Sequence, residues 1–202
     1  MADPTSQPDP GGPPLAVPAI VLAAGASRRL GRPKQRVRWA GETLLRRAVR
    51  AALGGCSPVL VVVGCRGEEM AADLAGLPVT VVVNPQWQEG MASSIRAGIR
   101  ALPASVPAAL FLVCDQPEVD QDLVARLVQA HRASPGSVVA CGYGGGKGIP
   151  ALFPARWLPR LQALQGDQGA RGLLADEGVV VVPFPGGERD VDRPEDLPGE
   201  ES

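Results

Sequence analysis

Apolar residues gather in short runs at 19–23, 59–63, 79–83, 108–113, 138–141 and 179–182, and most of these runs are continuous rather than alternating. A strand covered on one face alternates, whereas a strand covered on both reads as an unbroken apolar run, the habit of parallel sheets. Between the runs the apolar spacing changes to three and four. Leu44, Leu45, Ala48, Val49, Ala52 and Leu53 form one apolar helical face, with Arg46, Arg47 and Arg50 opposite. Met91, Ile95, Ile99 and Leu102 predict a second helix. Leu123, Val124, Leu127 and Val128 predict a third, with Asp120 as its N-cap. Strands alternating with helices imply βαβ units and a mostly parallel sheet. The stretch 142–178, rich in glycine, proline and tryptophan, breaks this rhythm and reads as an insertion or lid over the sheet edge. No internal repeat is evident.

The chain has 202 residues, of which 45% are hydrophobic, enough to build one domain with a core. That domain is expected over 18–197. Proline and glycine content marks 1–17 as a disordered tail, and 198–202 as a frayed end. The N-terminal stretch lacks the basic start and long apolar segment of a secretory signal. No apolar run approaches the ~20 residues of a membrane span. The expectation is a soluble, cytoplasmic protein. With 20 basic and 21 acidic residues the net charge is −1, which argues against a nucleic-acid binder that relies on a broad positive surface. Cys56, Cys65, Cys114 and Cys141 form no CxxC pair, and His131 is the single histidine. Neither a zinc site nor a disulfide framework is expected. The cysteines read as small buried hydrophobes, and His131 as a solvated residue on the polar side of its helix.

In a parallel α/β sheet, ligands bind outside the carboxyl ends of the strands. That rule selects residues 24–35, 64–67, 84–94 and 114–117 as walls of one crevice. The first of these carries most information. Val21–Gln35, VLAAGASRRLGRPKQ, is a strand that empties into a small-residue, basic loop. It matches neither G-x-G-x-x-G nor G-x-x-x-x-G-K-[ST]. Ala23, Ala24 and Gly25 would still let a base and ribose approach the backbone closely. Arg28, Arg29, Arg32 and Lys34 could neutralise a triphosphate and its diphosphate leaving group. Asp115, directly after the 108–113 run, suits a hard cation such as Mg²⁺. A second acid should come from elsewhere, and Asp190 and Asp192 are the candidates; on a strand they would share one face. Asn84 and the serines Ser93 and Ser94, at the start of the second helix, suit a nucleotide or a phosphorylated acceptor. The run 144–148, GGGKG, is read as a flexible turn rather than a phosphate loop.

Taken together, VLAAGASRRLGRPKQ, NPQWQEGMASSIRAGI, CDQPEV, PALFP, GDQGARGLL and DVDRPEDL, in this order over roughly 19–197, resemble the molybdenum cofactor cytidylyltransferase family of nucleotidyltransferases, related to the guanylyltransferases. The resemblance implies a three-layer α/β/α sandwich with a Rossmann-like sheet. It implies Mg²⁺-dependent transfer of CMP from CTP to the phosphate of molybdenum-loaded molybdopterin, with diphosphate released. In that reading Leu22, Ala23, Ala24, Gly25, Ser27, Arg28, Arg29, Lys34, Asn84, Ser93 and Ser94 meet the nucleotide. Lys34, Arg28 and Asp115 serve catalysis, and Asp115 and Asp192 hold the metal. The product would pass to a molybdenum hydroxylase by transient contact. Guanylyl transfer, another phosphorylated acceptor, or a non-catalytic cofactor-delivery role would use most of the same residues. The chain departs from the family at Ile149, often histidine, and at Arg193, usually threonine. Arg36 and Arg38 also add positive charge after the lysine motif.

Overall fold

The computed structural model of the chain describes residues 16–175 and 178–197. The strands are β1 (Ala19–Ala23), β2 (Arg38–Trp39), β3 (Glu42–Thr43), β4 (Val59–Val63), β5 (Thr80–Val83), β6 (Ala108–Val113), β7 (Val139–Tyr143), β8 (Gly146–Pro154) and β9 (Val180–Pro183). The α-helices are α1 (Leu44–Leu53), α2 (Gly67–Asp73), α3 (Met91–Arg100), α4 (Gln121–Ala133) and α5 (Leu158–Gln162). Seven strands form one sheet in the order β5-β4-β1-β6-β8-β7-β9, while β2 and β3 pair as a separate hairpin. All six expected strands lie in the large sheet, and β1, β4, β5 and β6 run parallel.

The continuous apolar runs are continuous because both faces of the sheet are covered. Ala19, Val21, Ala23, Val59, Val61 and Val63 point to one core, which α1 and α4 close. Ile20, Leu60 and Val62 point to the other, closed by α3 and α5. The helix ends follow ordinary capping chemistry. Thr43 Oγ1 accepts from Arg46 N at the start of α1, and Asp120 Oδ1 accepts from Leu123 N at 2.8 Å at the start of α4.

The stretch 142–178 differs from expectation. It is not an appendage over the edge: it supplies β8, which runs antiparallel between β6 and β7 with Ala151, Leu152 and Phe153 fully buried. Its glycines misled because they serve a tight turn. Gly144 and Gly145, at φ +56° and +73°, connect β7 to β8 in the left-handed conformation that a two-residue hairpin demands. The second correction concerns His131, which is buried on α4, its exposure only 5%. One more turn of α4 was apolar-facing than the spacing suggested. The tail expected over 1–17 falls outside the described residues except for Ala16 and Val17. Val17 is buried and its carbonyl accepts from Ser57 N. The end at 198–202 also lies outside them. Among the described residues no helix is long and apolar enough to cross a membrane.

Candidate active site

The parallel strands end on one edge, and a cavity of about 400 Å³ opens there. Its walls include Leu22, Ala23, Ala24 and Gly25 from the end of β1, Ser27, Arg28, Arg29 and Lys34 from the following loop, and Cys114 and Asp115 from the end of β6. Asp192 reaches it from the C-terminal segment, and Ser94 and Met91 from the start of α3. Asn84 and Ser93, expected at the ligand, stand behind this wall. The Asn84 amide donates to both Ser93 Oγ and Ser94 Oγ at 2.9 and 3.1 Å, and its Oδ1 accepts from Gln86 N. This buried network fixes the approach to α3, so only Ser94 of the three faces the cavity.

The basic loop is held from inside by a residue that spacing did not single out. Gln35 is 1% exposed, and its Nε2 donates to Ala23 O at 2.9 Å and Gly25 O at 2.8 Å. Ser27 Oγ accepts from Lys34 N at 3.0 Å and closes the same loop. A glutamine after a basic run carries no sequence signal of this kind; only the fold places it under the loop. Trp87 and Met91, inside the expected 84–94 wall, also line the cavity, and so does Asp167, which lies outside every segment expected there. Asp167 arrives with the 163–169 segment, where Gly166 O accepts from Ala92 N at 3.0 Å. The two arginines that depart from family habit after the lysine motif stay on the surface: Arg36 pairs with Glu69, and Arg38 donates to Gly41 O.

At the centre, Lys34 Nζ stands 2.5 Å from Asp115 Oδ2 and 3.3 Å from Asp192 Oδ1. Arg29 Nη1 stands 2.8 Å from Asp192 Oδ2. Two cations thus answer two carboxylates. Burial alone would lower the Lys34 pKa, but the Asp115 carboxylate beside it drives it well above the usual lysine range, so the ammonium stays charged. Asp192 is held below the usual carboxylate range, chiefly by the hydrogen bond from Arg29. Burial pushes the Cys114 thiol up to about 12, which removes it as a nucleophile at neutral pH.

Asp192 does not lie on a strand, as its two-residue spacing from Asp190 had suggested. The irregular segment is pinned instead: Val191 N donates to Asp115 O at 2.8 Å, and the Val191 side chain is fully buried with Leu30, Val37 and Leu44. Asp196 Oδ2 accepts from Asp192 N and Arg193 N. Because the Arg193 backbone makes this contact, an arginine serves the turn where threonine is usual. Asp190 is not among the cavity walls. Ile149 packs partly buried against the second core, and its carbonyl accepts from Tyr143 Oη at 3.0 Å.

The carboxylates suit a hard cation. Among the described residues, Asp115 Oδ1 is buried with no hydrogen-bond partner, an unmet acceptor beside a polar cavity. Among the described residues no group of three or more His, Cys, Asp or Glu is gathered. Asp115 and Asp192 would therefore serve a cation that keeps most of its oxygen ligands from phosphate and water, the habit of Mg²⁺.

Comparison with known proteins agrees with this geometry. Over 168 residues the chain is 35% identical to nicotine blue oxidoreductase of Paenarthrobacter nicotinovorans, covering 78% of this chain and 81% of that one. Over 187 residues it is 30% identical to the molybdenum cofactor guanylyltransferase of Rhodobacter capsulatus, covering 91% and 94%. Over 88 residues it is 33% identical to the molybdenum cofactor cytidylyltransferase of Escherichia coli (strain K12), covering 43% and 46%. The crystal structure of Rv0371c from Mycobacterium tuberculosis H37Rv superposes with a TM-score of 0.79 at 26% identity, over 90% of this chain and 95% of that one. Residues 19–181 match the MobA-like NTP transferase domain, and with β1, β6 and the basic loop all inside that span, the chain belongs to this family of nucleotidyltransferases.

Proposed function

We propose that the protein is a Mg²⁺-dependent cytidylyltransferase that moves CMP from CTP onto the phosphate of molybdenum-loaded molybdopterin. The observation that carries this reading is the Lys34–Asp115–Asp192 cluster beside an alanine–glycine floor. In the reaction an acceptor phosphate oxygen attacks the α-phosphorus of CTP. The bond from that phosphorus to the bridging oxygen breaks, and diphosphate leaves with the electron pair. The protein's work is positioning and charge stabilisation, so no side-chain nucleophile is required. Ala23, Ala24 and Gly25 lie against base and ribose. Arg28 and Arg29 answer the β- and γ-phosphates, and Lys34 leaves its carboxylates to neutralise charge building on the equatorial oxygens. Asp115 and Asp192 would hold the divalent cation, which when bound supplies charge neutralisation at the phosphates. Such an enzyme would work in the cytoplasm, handing its product to a molybdenum hydroxylase by transient contact.

Guanylyl transfer is the second reading, favoured by the 30% identity to the Rhodobacter capsulatus guanylyltransferase. Diphosphate release from each of the four nucleoside triphosphates, with and without molybdenum-loaded molybdopterin, separates them. Release with CTP only in the presence of that acceptor is the expected result. Release with GTP alone overturns the base assignment, and release with neither overturns the acceptor.

A further inference from the structure

Asp192 reaches the active site from outside every strand and helix. It ends an irregular stretch that leaves β9 after Pro183, so no ladder of sheet hydrogen bonds sets its place against Asp115. Three contacts tie the stretch to the loop after β6 instead. Gln116 Nε2 donates to Gly187 O at 3.0 Å, Arg189 Nη1 donates to Glu118 Oε1 at 3.2 Å, and Val191 N donates to Asp115 O at 2.8 Å.

The three are unequal. The Arg189 and Glu118 side chains are 61% and 40% exposed, where an ion pair contributes little and salt screens it. The Val191 contact is main chain to main chain and holds only the last residue before Asp192. Gln116 is the buried side chain that fastens the stretch further back: it is 6% exposed, and its Nε2 also lies 3.3 Å from Tyr143 Oη. Gly187 receives it in a closely packed place. A Cβ there would strike Phe184 Cδ1 and Tyr143 Cδ1, so the main chain runs against both rings, which meet edge to face with centroids 5.9 Å apart. Gln116 itself does not line the nucleotide cavity. Whatever it does for the reaction passes through its neighbours.

We propose that Gln116 is a positioning residue for the divalent cation: by fastening Gly187 to the end of β6 it sets Asp192 against Asp115, and so fixes the spacing of the two carboxylates. The inference rests on the assignment of Asp115 and Asp192 to the cation in the reading above. Mg²⁺ accepts little departure from octahedral geometry, so a pair of carboxylates free to drift holds it less well. Groups that orient metal ligands without touching the metal typically carry a factor of about 10–100 in metal affinity.

The test is titration of Mn²⁺ with the full chain, free Mn²⁺ being read by electron paramagnetic resonance well below each variant's melting temperature. Gln116→Met keeps the length and removes the donor. It also removes Oε1, which among the described residues is buried without a hydrogen-bond partner, so the loss to the fold is partly offset. Its Mn²⁺ affinity should fall about ten-fold or more. Gln116→Asn, a milder change that keeps the amide but draws it back by one methylene, should give an intermediate fall and is read alone if the methionine variant does not fold. Arg189→Ala, which breaks only exposed contacts, should stay within about two-fold of wild type. Mn²⁺ affinity unmoved in the Gln116 variants, whatever their melting temperatures, overturns the proposal, because a purely structural clasp would change melting alone. A fall as large in Arg189→Ala overturns it too, since any loosening of the stretch would then suffice. Wild type that takes up no Mn²⁺ overturns the metal assignment itself, so the two failures are told apart.

Discussion

Lys34 Nζ sits 2.5 Å from Asp115 Oδ2 with the Lys34 and Asp115 side chains 17% and 19% exposed, so each neutralises a partner that water reaches only in part. The pair is long-range in sequence, joining the loop after β1 to the end of β6, and so ties the nucleotide loop to the sheet. Lys34→Met should lower turnover about 100-fold or more, since charge stabilisation at the reacting phosphate is lost. It should also destabilise the fold, because Asp115 is left facing Asp192 without its cation. In a double-mutant cycle with Asp115→Asn, the coupling in urea unfolding should be about 1 kcal/mol, below the value for a fully buried pair because part of each side chain is wet. Additive effects would mean the contact contributes no stability.

Gln35 tests whether the loop is preorganised by its own interior. Its Nε2 serves two carbonyls, Ala23 O and Gly25 O. Gln35→Leu keeps the size and removes both donors. A buried acceptor left unmatched costs about 1–3 kcal/mol, so denaturant unfolding should show a loss of about 2 kcal/mol or more. Nucleotide affinity should fall alongside, as the loop loses its fixed shape. Gln35→Glu also lacks the donors and should behave no better. A variant with full stability would show that the clamp is incidental.

Gly90 and Gly25 both flank the nucleotide cavity, yet alanine should act on them in opposite ways. Gly90 has φ +106°, and a Cβ there would strike Gly166 O and Asp167 Oδ1. Among the described residues, nothing lies within 4 Å of such a Cβ on Gly25. Gly90→Ala should therefore destabilise by about 2 kcal/mol, from strain and from displacement of the 163–169 segment. Gly25→Ala should leave thermal stability unchanged and weaken nucleotide binding by filling the floor. Melting curves together with nucleotide titration check both; equal melting points for the two variants would contradict the clash.

Much of this was legible in the chain, for identifiable reasons. The strands at 19–23, 59–63 and 108–113 were visible because burial on two faces leaves an unbroken apolar run. Asp120 was visible as a cap because its chemistry is local. Lys34, Asp115 and Asp192 could be singled out because charged residues beside strand ends have few structural uses, and all three converge on one cavity. What was hidden depends on contacts distant in sequence. β8 begins GKG and contains a proline, so its first half lacks the apolar signal, and its place between β6 and β7 is set by pairing. Asp167 faces the cavity only because the 163–169 segment turns it there, and the clamp that Gln35 makes under the loop shows only in the fold. Asn84 and Ser93 carry the right chemistry for a ligand but use it on one another.

His131 gives the protein a component of acid sensitivity. It is buried on α4, its Nδ1 has no hydrogen-bond partner among the described residues, and burial lowers its pKa below the ordinary histidine value near 6.5. The folded protein thus prefers the neutral imidazole more than the unfolded chain does. The stability this represents is present above the unfolded pKa and is lost as pH falls through it towards the lower folded value. Melting temperature should drop between pH 7.5 and pH 5, and the drop should be smaller in His131→Gln, which cannot take the proton. An identical pH dependence in the variant would assign the sensitivity to other groups.

Ala24 bears on the choice of base. It lines the cavity floor, it is 5% exposed, and its carbonyl accepts from Cys65 N at 3.1 Å, so its backbone is fixed. Trp87 crowds the same corner: a Cβ on Gly64 would fall 2.6 Å from Trp87 Cβ and 3.0 Å from that of Ala24. With floor and wall both held, the Ala24 methyl would have little room to retreat from a bicyclic base laid on this floor, and less need to retreat from a single ring. Removing one methyl from a tight pocket changes discrimination by about 1–3 kcal/mol, so Ala24→Gly should shift the ratio of kcat/KM for CTP over GTP about ten-fold or more towards GTP. Parallel diphosphate-release assays with the two nucleotides measure it. A ratio that does not move would place base selection elsewhere on the wall, with Trp87 the next residue to change.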